Sequence, residues 1–358
     1  MSKKSGAGGS GSALGTNSVR FAVVGAGHMG ANHIKKIRAL GPTIGARVAV
    51  IVEPDELRAT ALAREFPENE RPQIISNLGL LGEVGSDHYP EAAIVAVPAS
   101  IHNETTLACL EQGLHVLVEK PLGFSALDCR ELGTAAAKAR KVLQVGMLER
   151  WSLAHLWQDW KPARGPWTIN AVRSGPFVPR VGDTDVIHDL MIHDIDLFAM
   201  LNSMYDLAPV KTVRAWGRKL RSGMLDYAIV ALDLEDGGMA RFFASRLSAE
   251  ASRGWEMTGP GWHASIDFMR RSLKRFERVG RGMDAFQAKE TQWAGGDPLG
   301  LEITAFVRNV RGELESCEET ISATRNFASL DHFLPTPKTV LRSHELIDEV
   351  LSCIKVLD

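Results

Sequence analysis

The sequence predicts an α/β protein with two parts. A doubly wound parallel sheet comes first, and an α+β domain with an open, mostly antiparallel sheet follows it. From residue 19 to about residue 146, short apolar runs alternate with helical stretches, which is typical of a parallel sheet covered on both faces. After Arg150, strand-like runs follow one another without intervening helices, which favours antiparallel pairing.

Each element of the N-terminal half has a local signal. The first strand ends in Gly25, Asp55 is placed to cap the second helix, and Gly113 ends the third. The segment 71–86 has the weakest pattern. The predicted strands are 19–25, 47–53, 92–98, 115–119 and 142–145, and the predicted helices are 28–40, 55–66, 104–112 and 125–141.

The C-terminal half has fewer sequence signals for turns and helix ends, but those present are clear. The Gly237-Gly238 turn separates two strand-like runs, and Pro298 stands in the first turn of a helix capped by Asp297. The predicted helices are 185–201, 298–310 and 339–356, and the predicted strands are 211–216, 226–234, 239–247 and 263–268. We therefore expect a flexible tail at 1–18, a dinucleotide-binding domain at 19–150, and a substrate-binding and oligomerisation domain at 151–358.

A G-x-G-x-x-G run, Gly25 to Gly30, follows the first predicted strand and opens the first predicted helix. This is the context in which the motif binds a dinucleotide in a Rossmann fold, because the helix N-terminus presents N–H donors to the pyrophosphate. The second strand ends at Glu53, whose carboxylate can accept both adenosine ribose hydroxyls and would repel a 2′-phosphate. The motif therefore predicts NAD in preference to NADP.

Further cofactor contacts are expected at the carboxyl edge of the sheet. Pro98 closes the third clear strand there, and His102 and Asn103 follow it, with a helix cap or turn as the alternative role. The full predicted set is Gly25, Gly27, His28, Met29, Gly30, Glu53, Pro98, His102, Asn103, Glu119 and Lys120.

Two segments carry candidate catalytic residues. Lys120, in Glu119-Lys120-Pro121, ends a strand beside the expected nicotinamide and can bind a hydroxyl or polarise a carbonyl. Asp189 and His193 share one helical face, so Asp189 can hold the imidazole or bind a substrate hydroxyl. The alternative interpretation is that these residues form salt bridges on the surface of a helix. We favour His193 as the base, and Lys120 remains possible because a desolvated lysine can lose its proton near neutrality.

These motifs together, in this order, resemble the glucose–fructose oxidoreductase / inositol dehydrogenase / MocA family over about residues 19–310. The resemblance implies a Rossmann domain and an α/β domain whose open sheet mediates oligomerisation as a homodimer or homotetramer. It also implies that Lys120 and His193 flank the reacting carbon, with Asp189 as their neighbour.

A narrower resemblance is carried by residues 144–150 and 184–196, which look like those of bacterial UDP-N-acetylglucosamine 3-dehydrogenases. It implies oxidation of a sugar hydroxyl to a ketone on a path to a lipid A variant. The alternatives are an inositol, free-hexose or sugar-acid dehydrogenase, and an NAD-loaded sensor or scaffold without turnover. The predicted substrate contacts are Lys120, Arg150, Arg173, Arg180, Asp189 and His193, of which the arginines could bind a diphosphate.

Composition excludes several other classes. The chain has 358 residues and a formal net charge of -2, so no overall basic field draws it to nucleic acid or to an anionic membrane. The Gly- and Ser-rich start has no apolar stretch that could be a signal peptide. The four cysteines form no C-x-x-C pair, so we expect no metal and a reducing, cytoplasmic location.

Overall fold

The structure is a computed structural model. It describes residues 18–157, 162–178, 184–280, 285–292, 296–313 and 333–357. The predicted tail therefore lies almost wholly outside the described residues, and so does Arg180. No helix within the described ranges is long and apolar enough to cross a bilayer.

The N-terminal sheet has six parallel strands in the order β3-β2-β1-β4-β5-β6, as a doubly wound fold requires. Its strands are β1 (Val19–Val24), β2 (Ala46–Val52), β3 (Gln73–Ile75), β4 (Ala92–Val95), β5 (His115–Glu119) and β6 (Leu143–Gly146). Its helices are α1 (His28–Ile44), α2 (Glu56–Ala63), α3 (His102–Glu111) and α4 (Ala126–Ala139). The strand order reverses between β1 and β4, which creates a crevice at their carboxyl ends.

The second sheet has nine strands in the order β14-β13-β12-β11-β7-β10-β9-β8-β15. Most of its pairs are antiparallel, whereas β7 with β10 and β15 with β8 are parallel. The strands are β7 (Thr168–Ser174), β8 (Val210–Arg218), β9 (Tyr227–Leu234), β10 (Met239–Ser245), β11 (Ser252–Gly259), β12 (Trp262–Asp267), β13 (Ser272–Arg278), β14 (Phe286–Gln292) and β15 (Lys355–Val356). The predicted fold class is therefore confirmed.

Several elements were not predicted. The pattern missed β3, β7, β11, β13 and β14, it assigned β15 to the end of the last helix, and it also missed a helix, α5 (Leu148–Trp157). Strand β14 is exposed along nearly its whole length, so its sequence carries little apolar alternation. Strand β7 is central, because it lies between β11 and β10, and it forms by pairing with strands about seventy to ninety residues away along the chain.

Three further helices connect the two sheets. They are α6 (Ile192–Tyr205), which a five-residue π-helical turn (Ile187–Met191) precedes, α7 (Pro298–Val310) and α8 (Pro337–Cys353). Helix α6 covers the inner face of the second sheet, where Phe198 contacts Phe242. Helix α7 returns to the first sheet and places Phe306 against Phe21. The division at residue 150 stays a prediction, since the C-terminal chain completes the core of the N-terminal sheet.

Candidate active site

A cavity of about 1130 Å³ opens at the carboxyl edge of the parallel sheet. We call it the main cavity. Its lining includes the loop from β1 to α1, the π-helical turn and Arg253 of β11. A typical pocket of about 300–1,000 Å³ holds one drug-sized ligand. The main cavity is therefore larger than a typical single-ligand pocket.

The glycine loop fits a dinucleotide. Gly25 has a φ of +87°, and a Cβ atom there would lie 2.6 Å from the carbonyl oxygen of Ala96. A Cβ on Gly30 would lie 1.9 Å from the carbonyl oxygen of Gly25, so only glycine lets α1 pack this closely. A Cβ on Gly27 would meet nothing within 4 Å, which leaves that side of the loop open to a ligand. His28 and Met29 also line the main cavity, whereas Gly30 acts through packing.

Glu53 lies at the end of β2 with its carboxylate against the glycine loop. The N–H of Ala26 donates to its Oε2 at 2.7 Å, and the N–H of Asp55 donates to its Oε1 at 3.0 Å. Arg58, which the sequence interpretation missed, donates to Oε1 from Nη1 at 3.3 Å. A carboxylate has about four acceptor positions, so it can still accept a bond from a ribose hydroxyl. The residues of this cavity therefore fit the predicted dinucleotide.

The loops after β4 and β5 are tied together by His102. Its Nδ1 lies 2.7 Å from the carbonyl oxygen of Pro121, and its Nε2 lies 3.0 Å from that of Val97. His102 and Pro98 line the main cavity, but both ring nitrogens of His102 are occupied, so the side chain positions the loops. Asn103 does not line the cavity, because its amide donates to Asp128 at 3.0 Å. The expected cofactor contact of Asn103 therefore stays a prediction, which the position of its amide does not favour.

Lys120 and Asp189 form a hydrogen-bonded pair in the lining of the main cavity. The Lys120 Nζ donates to the main-chain oxygen of Asp189 at 2.6 Å and to its Oδ1 at 3.1 Å. Because a lysine ammonium has three donors, one remains for a substrate oxygen. Asp189 holds the lysine and forms no hydrogen bond with His193 among the described residues, so the idea that Asp189 holds the imidazole is wrong.

His193 lines the same cavity, one helical turn beyond Asp189. Its Nδ1 is buried and has no hydrogen-bond partner among the described residues, which leaves Nε2 as the nitrogen available to a ligand. Burial, followed by the positive charges of Arg173, Lys120 and Arg253, lowers the pKa of His193 well below its usual value. The imidazole is therefore neutral at physiological pH, the state in which it can accept a proton.

A buried acidic cluster lies behind Lys120. Glu119 lines the main cavity, and its Oε1 lies 2.7 Å from the Nε2 of His33 on α1. Glu302 of α7 is wholly buried, and neither of its oxygens has a well-formed hydrogen bond within the described part of the chain. Burial and the negative charge of Glu119 raise the pKa of Glu302 well above its usual value, which favours its protonated form.

Two of the arginines expected to bind a diphosphate are buried in ion pairs. Arg150 is completely buried, and its Nε and Nη2 donate to the two carboxylate oxygens of Asp196 at 2.7 and 2.6 Å. Arg173 borders the main cavity, but its guanidinium donates to Asp194 at 2.9 and 3.0 Å and to Glu149 at 2.8 Å. The expectation is wrong for Arg150, and the donors of Arg173 are already engaged by two carboxylates.

The structure adds two residues that the sequence did not single out as site residues. His188 borders the main cavity, and its ring is held between Asp185, 2.8 Å from Nδ1, and the carbonyl oxygen of Phe124, 3.2 Å from Nε2. Arg253 pairs in register with Arg173 on the neighbouring strand β7, so the two arginines share one face of the sheet. No local motif marks Arg253, since its place in the site depends on strand pairing.

The glycine loop, the Lys120–Asp189 pair and His193 around one cavity define a dinucleotide-dependent oxidoreductase. Residues 19–147 match the model of an oxidoreductase family with a NAD-binding Rossmann fold. Residues 19–147 therefore have the N-terminal domain of the glucose–fructose oxidoreductase / inositol dehydrogenase / MocA family. The predicted family resemblance, enzyme class and nicotinamide cofactor are confirmed at that level.

Individual relatives show how similar the chain is to proteins of known activity. The chain is 28% identical over 295 residues to UDP-N-acetylglucosamine 3-dehydrogenase of Acidithiobacillus ferrooxidans, covering 82% of this chain and 88% of the relative. A solved structure of that dehydrogenase has a TM-score of 0.75 at 26% identity, with 94% and 97% of the two chains covered. Inositol 2-dehydrogenase 1 of Saccharopolyspora erythraea is 36% identical over 139 residues, which is 38% of this chain and 39% of the relative.

Proposed function

We propose that the protein oxidises a secondary alcohol of a nucleotide-sugar to a ketone with NAD, the 3-hydroxyl of UDP-N-acetylglucosamine being the favoured substrate group. The observation that carries the reaction is the meeting of Lys120, Asp189 and His193 in the cavity that also contains the glycine loop. The similarity to the Acidithiobacillus dehydrogenase over most of both chains supports the substrate.

The roles of the three side chains follow from their hydrogen bonds. His193, neutral and with Nε2 available, accepts the hydroxyl proton. Lys120 is oriented by Asp189, and its remaining N–H donates to the substrate oxygen as negative charge develops there. Bound NAD supplies the hydride acceptor. Asp189 is a positioning residue, since its carboxylate and its main-chain oxygen accept hydrogen bonds from Lys120.

The preference for NAD rests on Glu53. Its carboxylate is buried at the end of β2, where the adenosine ribose of a Rossmann cofactor binds. A 2′-phosphate would meet this negative charge at short range, which disfavours NADP. Arg58 offsets part of that repulsion, and it is half-exposed.

The function is tested by following NADH formation from NAD with a panel of substrates. The panel contains UDP-N-acetylglucosamine, free N-acetylglucosamine, myo-inositol and a free hexose. We expect turnover with the nucleotide-sugar alone, and loss of it in Lys120→Ala and His193→Ala, which should still bind NAD. Turnover of inositol or the hexose would move the protein to another branch of the family. Tight NAD binding without turnover on any of them would indicate a sensor or scaffold.

We also propose which surface forms the contact of the predicted oligomer. A row of half-buried apolar side chains, Val172, Phe243, Ile229 and Trp216, crosses four neighbouring strands on the outer face of the second sheet. Such a face is typical of an oligomer contact. We propose that a second copy of the chain covers it. Phe243→Asp should convert the oligomer to a monomer in light scattering, and an unchanged mass would contradict this surface.

A further inference from the structure

A second groove of about 500 Å³ adjoins the main cavity. We call it the side groove. Leu148 and Arg253 line both spaces, so the two are adjacent. Helix α1 also runs from one to the other, because Met29 lines the main cavity and Asn32, one turn later, lines the side groove.

The side groove carries an excess of positive charge. Its lining contains four cationic side chains and two carboxylates. Both carboxylates already have close partners, since Asp297 lies 2.8 Å from Lys36 and Glu149 lies 2.8 Å from Arg173. The cationic residues are Lys35, Lys36, Arg253 and Arg271. The field in the groove therefore attracts an anion.

Arg253 is the residue best placed to bind it. Its side chain is 47% exposed, and its closest carboxylate contact is Glu149 at 4.0 Å, beyond hydrogen-bond distance. Within the described residues its guanidinium forms no hydrogen bond, so a planar set of five donors remains open at the junction of the two spaces. Guanidinium groups bind phosphate in a bidentate manner.

We propose that the side groove binds the diphosphate of a nucleotide-sugar, with Arg253 as its principal ligand. This assignment rests on the proposed function, which places the sugar hydroxyl at Lys120 and His193. Arg253 lines the cavity that contains both of them, so a nucleotide-sugar bound there can place its diphosphate beside Arg253. Arg253 takes the diphosphate-binding role that was expected of Arg150, whose guanidinium is buried against Asp196.

The test is calorimetric and needs no turnover. UDP, inorganic phosphate and N-acetylglucosamine are each titrated into protein saturated with NAD, so that the pyrophosphate site of the glycine loop is filled. We expect UDP to bind. We expect Arg253→Ala to weaken UDP by about tenfold to a hundredfold, the range for a lost charge-assisted hydrogen bond, and Arg253→Lys to weaken it less. The affinity for NAD should stay the same in both variants, which shows that they are folded.

Arg270→Ala is the matched control. Arg270 is 86% exposed in the turn beside the groove residue Arg271, and it does not line the groove. UDP should bind this variant as it binds the unchanged protein. Failure of UDP to bind the NAD-loaded protein, or equal UDP affinity in Arg253→Ala, would overturn the proposal.

The two proposals can fail separately. If UDP binding depends on Arg253 but no nucleotide-sugar is oxidised, the groove assignment stands and the dehydrogenase proposal falls. If a free sugar or inositol is oxidised and UDP does not bind, the dehydrogenase chemistry stands and the groove assignment is wrong. Binding of inorganic phosphate with an affinity equal to that of UDP would also overturn a diphosphate site.

Discussion

Replacement of Lys120 by methionine separates the two candidate bases. The variant keeps a side chain of similar length and removes the ammonium that donates to Asp189 and, in the proposed reaction, to the substrate oxygen. Losing one preorganised donor to a developing oxyanion costs about a hundredfold to a thousandfold in kcat. Within the described residues, Lys120 forms no hydrogen bond with Glu53 or with the glycine loop. The affinity for NAD should therefore change by no more than about threefold.

The same variant should shift the pH dependence. The charge of Lys120 is one of the causes that lower the pKa of His193, after burial and Arg173. Because methionine carries no charge, the pKa of His193 rises in Lys120→Met. If His193 is the base, the residual rate of the variant falls at a higher pH than the rate of the unchanged enzyme as the solution is acidified.

The assay is kcat measured from acid to alkaline pH for the unchanged protein, Lys120→Met and His193→Asn. Lys138→Met, an exposed residue of α4, is the matched control and should behave as the unchanged protein. An acidic limb that persists in His193→Asn but disappears in Lys120→Met would refute the assignment and make the lysine the base.

Three more outcomes follow from buried or paired carboxylates. The pKa of Glu302 is higher in the folded state than its ordinary value of 4.5, so the folded protein loses about 1.4 kcal/mol of stability per pH unit as pH rises between the two values. Glu302→Gln should abolish that loss, and urea unfolding curves with the same pH slope for both proteins would contradict it. Glu53→Ser should shift the ratio of NAD to NADP affinity about tenfold or more toward NADP, because the repulsion is removed and Arg58 remains nearby; an unchanged ratio would remove Glu53 from cofactor selection. Arg150→Met should lower the free energy of unfolding by about 3–5 kcal/mol, because it leaves Asp196 buried and unpaired. A raised KM with unchanged stability would contradict this structural role and indicate that Arg150 binds substrate.

Much of the first sheet could be predicted from local patterns. A fully buried parallel strand is apolar along its whole length, so β1, β2, β4 and β5 stand out in the sequence. Strands β13 and β14 are different, since one or both faces meet solvent and their charged residues hide the alternation. Strand β13 forms by pairing with β12, and β14 forms by pairing with β13, and both are contacts between separate segments of the chain.

The sequence by itself determined the glycine turn, the strand that ends in Glu119-Lys120, and the spacing of Asp189 and His193. These depend on residues close together along the chain, whose geometry the strand and helix periods dictate. Only the tertiary structure decided which charges meet. It placed Asp189 on Lys120, 69 residues away, and it buried Arg150 while leaving Arg253 at a cavity junction. An arginine has the same local pattern whether its partner is a distant carboxylate or a ligand, because that choice depends on how the sheets and helices pack.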